Sequence, residues 1–191
     1  MTADDDRHRF ETLALPHLDA AHNLARWFTG SDADAEDVVQ DAMLRAMRYF
    51  GSFRGDQIRP WLLQIVRNTC CSWLAKNRPA EVVALDDHED AWRDVAAPAA
   101  LEPHAVALRN ADRLRVNQAL AALPIAFREV LVLRELEDLA YKDIARIVDA
   151  PIGTVMSRLS RARALMRDAL APEATRPVLR SVPPLQEGTK R

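Results

Sequence analysis

Apolar residues recur along this chain with the period of α-helices. Residues 8–29 set Phe10, Leu13, Ala14, Leu18, Ala21, Leu24, Ala25 and Phe28 on one face, with Pro16 as a kink or an early-turn residue. Thr29-Gly30-Ser31-Asp32 reads as a stop followed by a cap. A second helix is expected from about Ala33 to Tyr49, with Val38, Val39, Met43, Leu44, Ala46 and Met47 inside. Its acids crowd the first turns and Arg45 and Arg48 the last, as the helix dipole favours. Phe50–Arg59, with two glycines and two aromatics, reads as a loop. Pro60 suits the first turn of a third helix, Trp61–Lys76, with Leu62, Ile65, Val66, Thr69, Trp73 and Leu74 facing inward. Asn77-Arg78-Pro79 ends it.

The period is lost over residues 80–104, which are acidic and Ala/Pro-containing and read as a linker with room for a short helix. It returns over 105–122. Leu123-Pro124 marks a turn, Ile125–Leu136 a helix, and Glu137-Asp138-Leu139 a short connection. Tyr141–Arg163 then reads as helix, tight turn, helix. Ile144, Ala145, Ile147 and Val148 are apolar in the first half, and Val155, Leu159 and Ala162 share a face in the second. Asp149-Ala150-Pro151 breaks the period between them, because proline cannot continue a helix and Asp tolerates a left-handed turn residue. Such a unit with a basic outer face is how proteins place side chains in the DNA major groove. An ordinary helical hairpin with a solvated arginine face is the competing reading. The last twenty residues carry Pro172, Pro177, Pro183 and Pro184 and are expected to lack order.

Composition sharpens this. The chain has 191 residues, five of them glycine, and 6% aromatics, so strands have little support and the expected fold is all-α. The net charge of -2 argues against general coating of nucleic acid, but the charges are segregated. Arg45, Arg48, Arg54, Arg59, Arg67, Lys76 and Arg78 face a single acid, Asp56, over residues 45–78. Residues 152–167 hold Arg158, Arg161, Arg163 and Arg167 and no acid. Asp32, Asp34, Glu36, Asp37 and Asp41 form an acidic run, and residues 81–102 form another. Blocks of opposite sign mark separate surfaces. No apolar run reaches the length of a membrane span and no secretory signal opens the chain, so a cytoplasmic protein is expected. Cys70 and Cys71 have no nearby histidine and are read as small buried residues rather than a zinc site. The five histidines show no metal-ligand spacing, and no Gly-rich phosphate loop or nucleophile–base motif is present. Neither cofactor, metal nor catalysis is expected.

Three runs together resemble the extracytoplasmic-function (group 4) subfamily of bacterial sigma-70 factors. They are DAEDVVQDAMLRAMRYFGSFRG at 34–55, PWLLQIVRNTCCSWLAKNRP at 60–79 and ALPIAFREVLVLRELEDLAYKDIARIVDAPIGTVMSRLSRARALM at 122–166. The resemblance implies two small helical domains: region 2 at 1–79 and region 4 at 105–171, with the linker 80–104 between them and a tail at 172–191. It implies a subunit that docks on core RNA polymerase and reads promoter −10 and −35 elements. An anti-sigma factor would restrain it.

By that resemblance, Asp37, Gln40 and Asp41, which share a helix face, meet the beta-prime clamp helices with Arg45 one turn on. Leu123, Pro124, Arg128 and Leu131 resemble the surface that grips the beta flap. In the loop that would hold an extracted −10 base, Phe53, Gln57, Ile58 and Arg59 offer an aromatic, an amide, an apolar wall and a cation. Asn68 lies near it, while Arg54, Arg67, Lys76 and Arg78 would neutralise phosphates. At the −35 helix, Gly153-Thr154 suit a phosphate at the helix start. Met156, Ser157, Ser160 and Arg161 point outward as base-edge candidates, and Arg158 and Arg163 as phosphate holders. The acidic face also reads as a solvated, dipole-favoured helix start, and Phe53 as a core aromatic. The competing function is a free-standing helix-turn-helix repressor or response-regulator output protein, with residues 10–78 as sensor or dimeriser.

Overall fold

The computed structural model describes residues 3–55, 57–78 and 109–171. The expected linker at 80–104 and tail at 172–191 lie outside them. Among the described residues every regular element is helical. The first lobe holds α1 (Ala3–Ala14), α2 (Leu18–Thr29), α3 (Asp32–Tyr49) and α4 (Ile58–Asn77). The second holds α5 (Arg109–Ala121), α6 (Ile125–Leu131), α7 (Tyr141–Val148) and α8 (Ile152–Leu170). None of the described helices is long and apolar enough to cross a membrane.

Local chemistry sets these boundaries. The helix expected over 8–29 is divided: a 3₁₀ turn at Leu15–His17, with Pro16 in it, separates α1 from α2. Proline supplies no N–H to the preceding turn, so the ladder breaks there. Gly30, at φ 76°, ends α2 in the left-handed region and donates to Arg26 O at 2.8 Å. Ser31 caps α3 by accepting from the Asp34 amide. The segment expected as a loop is in part a 3₁₀ turn at Phe50–Ser52, and α4 begins at Ile58, earlier than expected. The helix expected over 125–136 changes register: α6 runs into a π-helical turn at Val132–Leu136, where the Glu137 amide reaches Val132 O.

In the first lobe α2, α3 and α4 pack mutually, and in the second α5, α6 and α7 each pack on α8. The interior of α3 is Ala35, Val38, Val39, Ala42 and Ala46. Leu44 and Met47, expected inside, are exposed instead (65% and 41%), because the small-residue stripe is the one that meets α2 and α4. A satellite cluster of Phe10, Phe50, Phe53, Ile58 and Leu62 closes the base of α4.

The two lobes are seated on each other. α4 packs on α7, and α2 packs on α6 and the π-turn. One apolar cluster runs across the seam without interruption. It joins Leu24, Trp27 and Phe28 of α2 and Val66, Cys70 and Leu74 of α4 to Phe127, Val130 and Leu131 of α6 and Ile144 and Ile147 of α7.

Candidate functional site

The acidic face of α3 is open. Asp37, Gln40, Asp41 and Arg45 are all exposed, and Arg45 pairs with Asp41 at 2.8 Å across one turn. The exposed Leu44 follows Asp37, Gln40 and Asp41 at i+7, i+4 and i+3 and so shares their face. Sequence reasoning put it in the core. Period alone does not say which of the two apolar stripes of α3 finds a partner.

The loop before α4 is built on aromatics. Phe53 stacks on Phe50 with centroids 6.1 Å apart and tilts against Trp61 at 5.2 Å. Phe53 is therefore buried, as is Ile58, and each shows only a small edge to the cleft beside it. For Phe53 this is the core reading of the two that the sequence offers, and for Ile58 it replaces an open apolar wall: Phe50, Phe53 and Trp61 gain more by burying one another than by meeting solvent. Gln57 remains exposed beside them, in a cleft of about 410 Å³ also lined by Trp61, Gln64, Lys142 and Arg146. Arg54 is exposed but fastened to its own loop, donating to Gly51 O and Phe53 O. Asn68 and Lys76 are exposed on α4, and Arg78 lies over the Trp73 ring at 5.6 Å.

The remaining α4 arginines turn toward the second lobe. Arg59 Nη2 lies 2.6 Å from Glu137 Oε2, and Glu137 Oε1 accepts from Asn23 at 3.2 Å. Arg67 Nε donates to Glu129 Oε2 at 3.1 Å. Arg158 Nη1 approaches the other oxygen of Glu129 at 3.6 Å. Arg158 is thus buried, not the outward phosphate holder expected. Its place on α8 falls on the α6-facing side, where Glu129 needs a counter-charge. Burial acts against the charge on Arg67, but the Glu129 carboxylate outweighs it and holds the guanidinium above its usual range. Burial and then the Arg59 charge hold the His17 imidazole below its own. Glu129 and Glu137 were not singled out from sequence: Glu129 is a single acid in an apolar helix, and Glu137 stands beside Glu135 and Asp138 in a charged connection, so neither carries a periodic signal.

The set expected to face the beta flap is closed in this arrangement. Leu123, Arg128 and Leu131 are buried and Pro124 is half-buried. Arg128 donates to Ala121 O and Leu123 O in its own lobe and to Trp27 O in the other.

The helix-turn-helix has the expected geometry. Asp149, at φ 52°, is the left-handed residue that ends α7, and Pro151 opens α8. Val155, Leu159 and Ala162 are buried, as their spacing requires. Met156, Ser157, Ser160 and Arg161 are exposed along the opposite side, with Gly153 exposed and Thr154 half-buried at the helix start. Ser157 donates to Thr154 O at 3.0 Å. Arg163 is partly exposed and forked onto Glu135 at 2.6 and 3.1 Å, which raises its pKa. Exposed pairs of this kind contribute about 0–1 kcal/mol, so a phosphate can displace the carboxylate.

Cys70 is buried and Cys71 half-buried, and burial pushes both thiols up. Among the described residues no cluster of His, Cys, Asp and Glu could hold a metal ion.

A helical lobe with an exposed acidic face, joined to a helix-turn-helix lobe with an exposed polar and basic face, is a transcription-factor architecture. Residues 13–79 match sigma-70 region 2, and residues 113–166 match sigma-70 region 4. The chain is 36% identical over 171 residues to the RNA polymerase sigma-H factor of Pseudomonas aeruginosa, covering 87% of this chain and 89% of that one. It is 32% identical over 171 residues to the ECF RNA polymerase sigma-E factor of Escherichia coli K12, with the same coverage. The sigma factor RpoE of Bartonella quintana, solved in complex with the anti-sigma factor NepR, has a similar structure: TM-score 0.64, 28% identity, 85% of this chain and 96% of that one. The chain belongs to the sigma-70 family, as a sigma factor of the extracytoplasmic-function type.

Proposed function

We propose that this protein binds core RNA polymerase and directs it to promoters with a −10 and a −35 element. The observation that carries this reading is the pairing, in one chain, of an exposed acidic face on α3 with an exposed polar and basic face on α8. The first suits a protein surface and the second a DNA groove. It acts by binding, without catalysis or cofactor, in the cytoplasm where its polymerase is.

In this reading Asp37, Gln40, Asp41 and Leu44 meet the beta-prime clamp helices, with Arg45 at the edge. Leu123, Pro124, Arg128 and Leu131 grip the beta flap once the lobes part. Gln57, Arg59 and Asn68 serve the −10 segment, and Arg54, Arg67, Lys76 and Arg78 its phosphates. Phe53 and Ile58 support that loop from beneath. Met156, Ser157, Ser160 and Arg161 read the −35 element, while Gly153, Thr154 and Arg163 hold its backbone. Residues 1–79 and 105–171 are the two functional units. The Bartonella quintana relative was solved with an anti-sigma factor, which supports such a partner for this chain as well.

Run-off transcription with purified core polymerase on a promoter library tests the proposal. Transcripts that appear only when the protein is added support it. Tight duplex binding without polymerase, and no transcripts with it, would instead favour a free-standing repressor.

A further inference from the structure

We propose that Ile152 and Met156 form an apolar ridge on α8 that reads the C5-methyl groups of thymine in the −35 element. The inference deepens the function proposed above and rests on it.

Ile152 opens α8 and Met156 follows one turn later, so the two stack at i and i+4 on one face. Both are large and apolar, yet they stand 47% and 53% exposed, while Val155, Leu159 and Ala162 carry the packing of the helix. Ser157 and Arg161 repeat the same spacing one residue on, which turns them about 100° around the helix axis. The outer face of α8 therefore has two edges, an apolar one and a hydrogen-bonding one.

Gly153 supplies a second observation. It lies within the helix, and a Cβ there would meet nothing within 4 Å, so neither an unusual φ nor internal packing calls for glycine. Glycine inside a helix costs stability relative to alanine. What the missing side chain provides is a bare patch of backbone beside Ile152, which a large partner can approach closely. In a helix-turn-helix the first turns of the second helix are those that reach base edges. In the major groove thymine alone offers an apolar group, its C5-methyl, and an isoleucine or methionine gains by covering it. The same side chains gain nothing from guanine O6 or N7. Single exposed apolar residues are ordinary on a protein surface. Two of them stacked at the start of this helix, beside bare backbone and with no acid in residues 152–167, suit a groove that carries methyl groups.

The test uses the full-length protein bound to core polymerase. A −35 element is selected from a promoter library, and each of its thymines is then replaced by uracil. That change removes the methyl group and keeps the base pairing and hydrogen-bonding pattern. At the thymine facing the ridge, uracil should weaken binding by about fourfold, the size of one buried methyl group. Ile152→Ala and Met156→Ala together should abolish the difference. Met156→Arg should shift the preferred base there from thymine to guanine. An element with no uracil-sensitive thymine would overturn the proposal, as would a sensitivity that the double alanine variant retains. Weaker binding of the double variant to core polymerase, with an unchanged −35 preference, would make the ridge a protein contact and overturn it too. The wild-type comparison of thymine with uracil needs no variant, so it decides even where a substitution disturbs the fold. A library that yields no −35 element would sink the function proposed above and this inference with it. An element indifferent to thymine methyls would sink this inference alone.

Discussion

Arg128 of α6 donates to the carbonyl oxygen of Trp27 in α2 at 2.8 Å, a bond between residues in different lobes. The same guanidinium accepts no water-facing role, because its other nitrogen serves Ala121 O and Leu123 O at the end of α5. It therefore completes one helix terminus and fastens another helix to it. Arg128→Ala removes a buried donor from three carbonyls and should lower unfolding free energy by about 3 kcal/mol. Urea denaturation followed by circular dichroism measures this. A loss below about 0.5 kcal/mol would mean that water replaces the guanidinium at little cost.

Asp149 holds the turn of the helix-turn-helix at φ 52°. Asp149→Gly should leave stability unchanged or raise it by up to about 1 kcal/mol, since glycine enters this region without a Cβ clash. Asp149→Val should lower it by about 1–2 kcal/mol, because a branched side chain is poorly tolerated there. Thermal melting of the pair gives the comparison, and equal melting temperatures would contradict it.

The two thiols report on the seam. Folding raises both, Cys70 through nearly complete burial, so the folded chain keeps protons that the unfolded chain loses in mild alkali. Their contribution to stability is thus present at neutral pH and declines as pH rises past the ordinary thiol range. At pH 8 the native protein should react slowly with a thiol-directed disulfide reagent, with Cys71 ahead of Cys70. Fast stoichiometric reaction of both would show that α4 is more open than described.

Arg161 and Arg163 sit two residues apart on α8 but have different surroundings, one exposed on the outer face and one forked onto Glu135. Arg161→Ala should reduce transcription from the matching promoter and relax preference at one −35 position, a difference of about 1–3 kcal/mol. Arg163→Ala should weaken all promoters alike and lower the salt dependence of binding by about one ion. Competition transcription on a −35 library separates the two outcomes.

Asp41→Lys reverses charge on the open face of α3 while leaving the core stripe of Ala35, Val38 and Ala42 untouched. Affinity for core polymerase should fall by about tenfold or more, with helical content unchanged. Unaltered binding in a pull-down with core polymerase would remove this face from the interface.

Much of the fold was legible because it is local. Gly30 and Ser31 carry their own stop and cap, Asp149 its own turn, and Val155, Leu159 and Ala162 their own period. The split at Pro16 was visible as a possibility. The exposure of Leu44 and Met47 was not, because period alone does not say which of two apolar stripes finds a partner. The acidic and helix-turn-helix faces could be read from charge segregation and family resemblance. The burial of Arg128 and Arg158 could not, since each depends on a residue distant in sequence, Trp27 and Glu129 respectively, whereas a core place for Phe53 was one of its two readings and rests on the nearby Phe50 and Trp61. Contacts between lobes leave no periodic trace in either one.

The continuous apolar cluster across the seam gives closure a thermal character. Parting the lobes wets the faces of Trp27, Phe127 and their neighbours, which raises heat capacity. Apolar association weakens on cooling, while ion pairs pay a smaller desolvation penalty as temperature rises. Both components therefore favour contact between the lobes in the warm and weaken it in the cold, so the seam is expected to be tighter in the warm than in the cold.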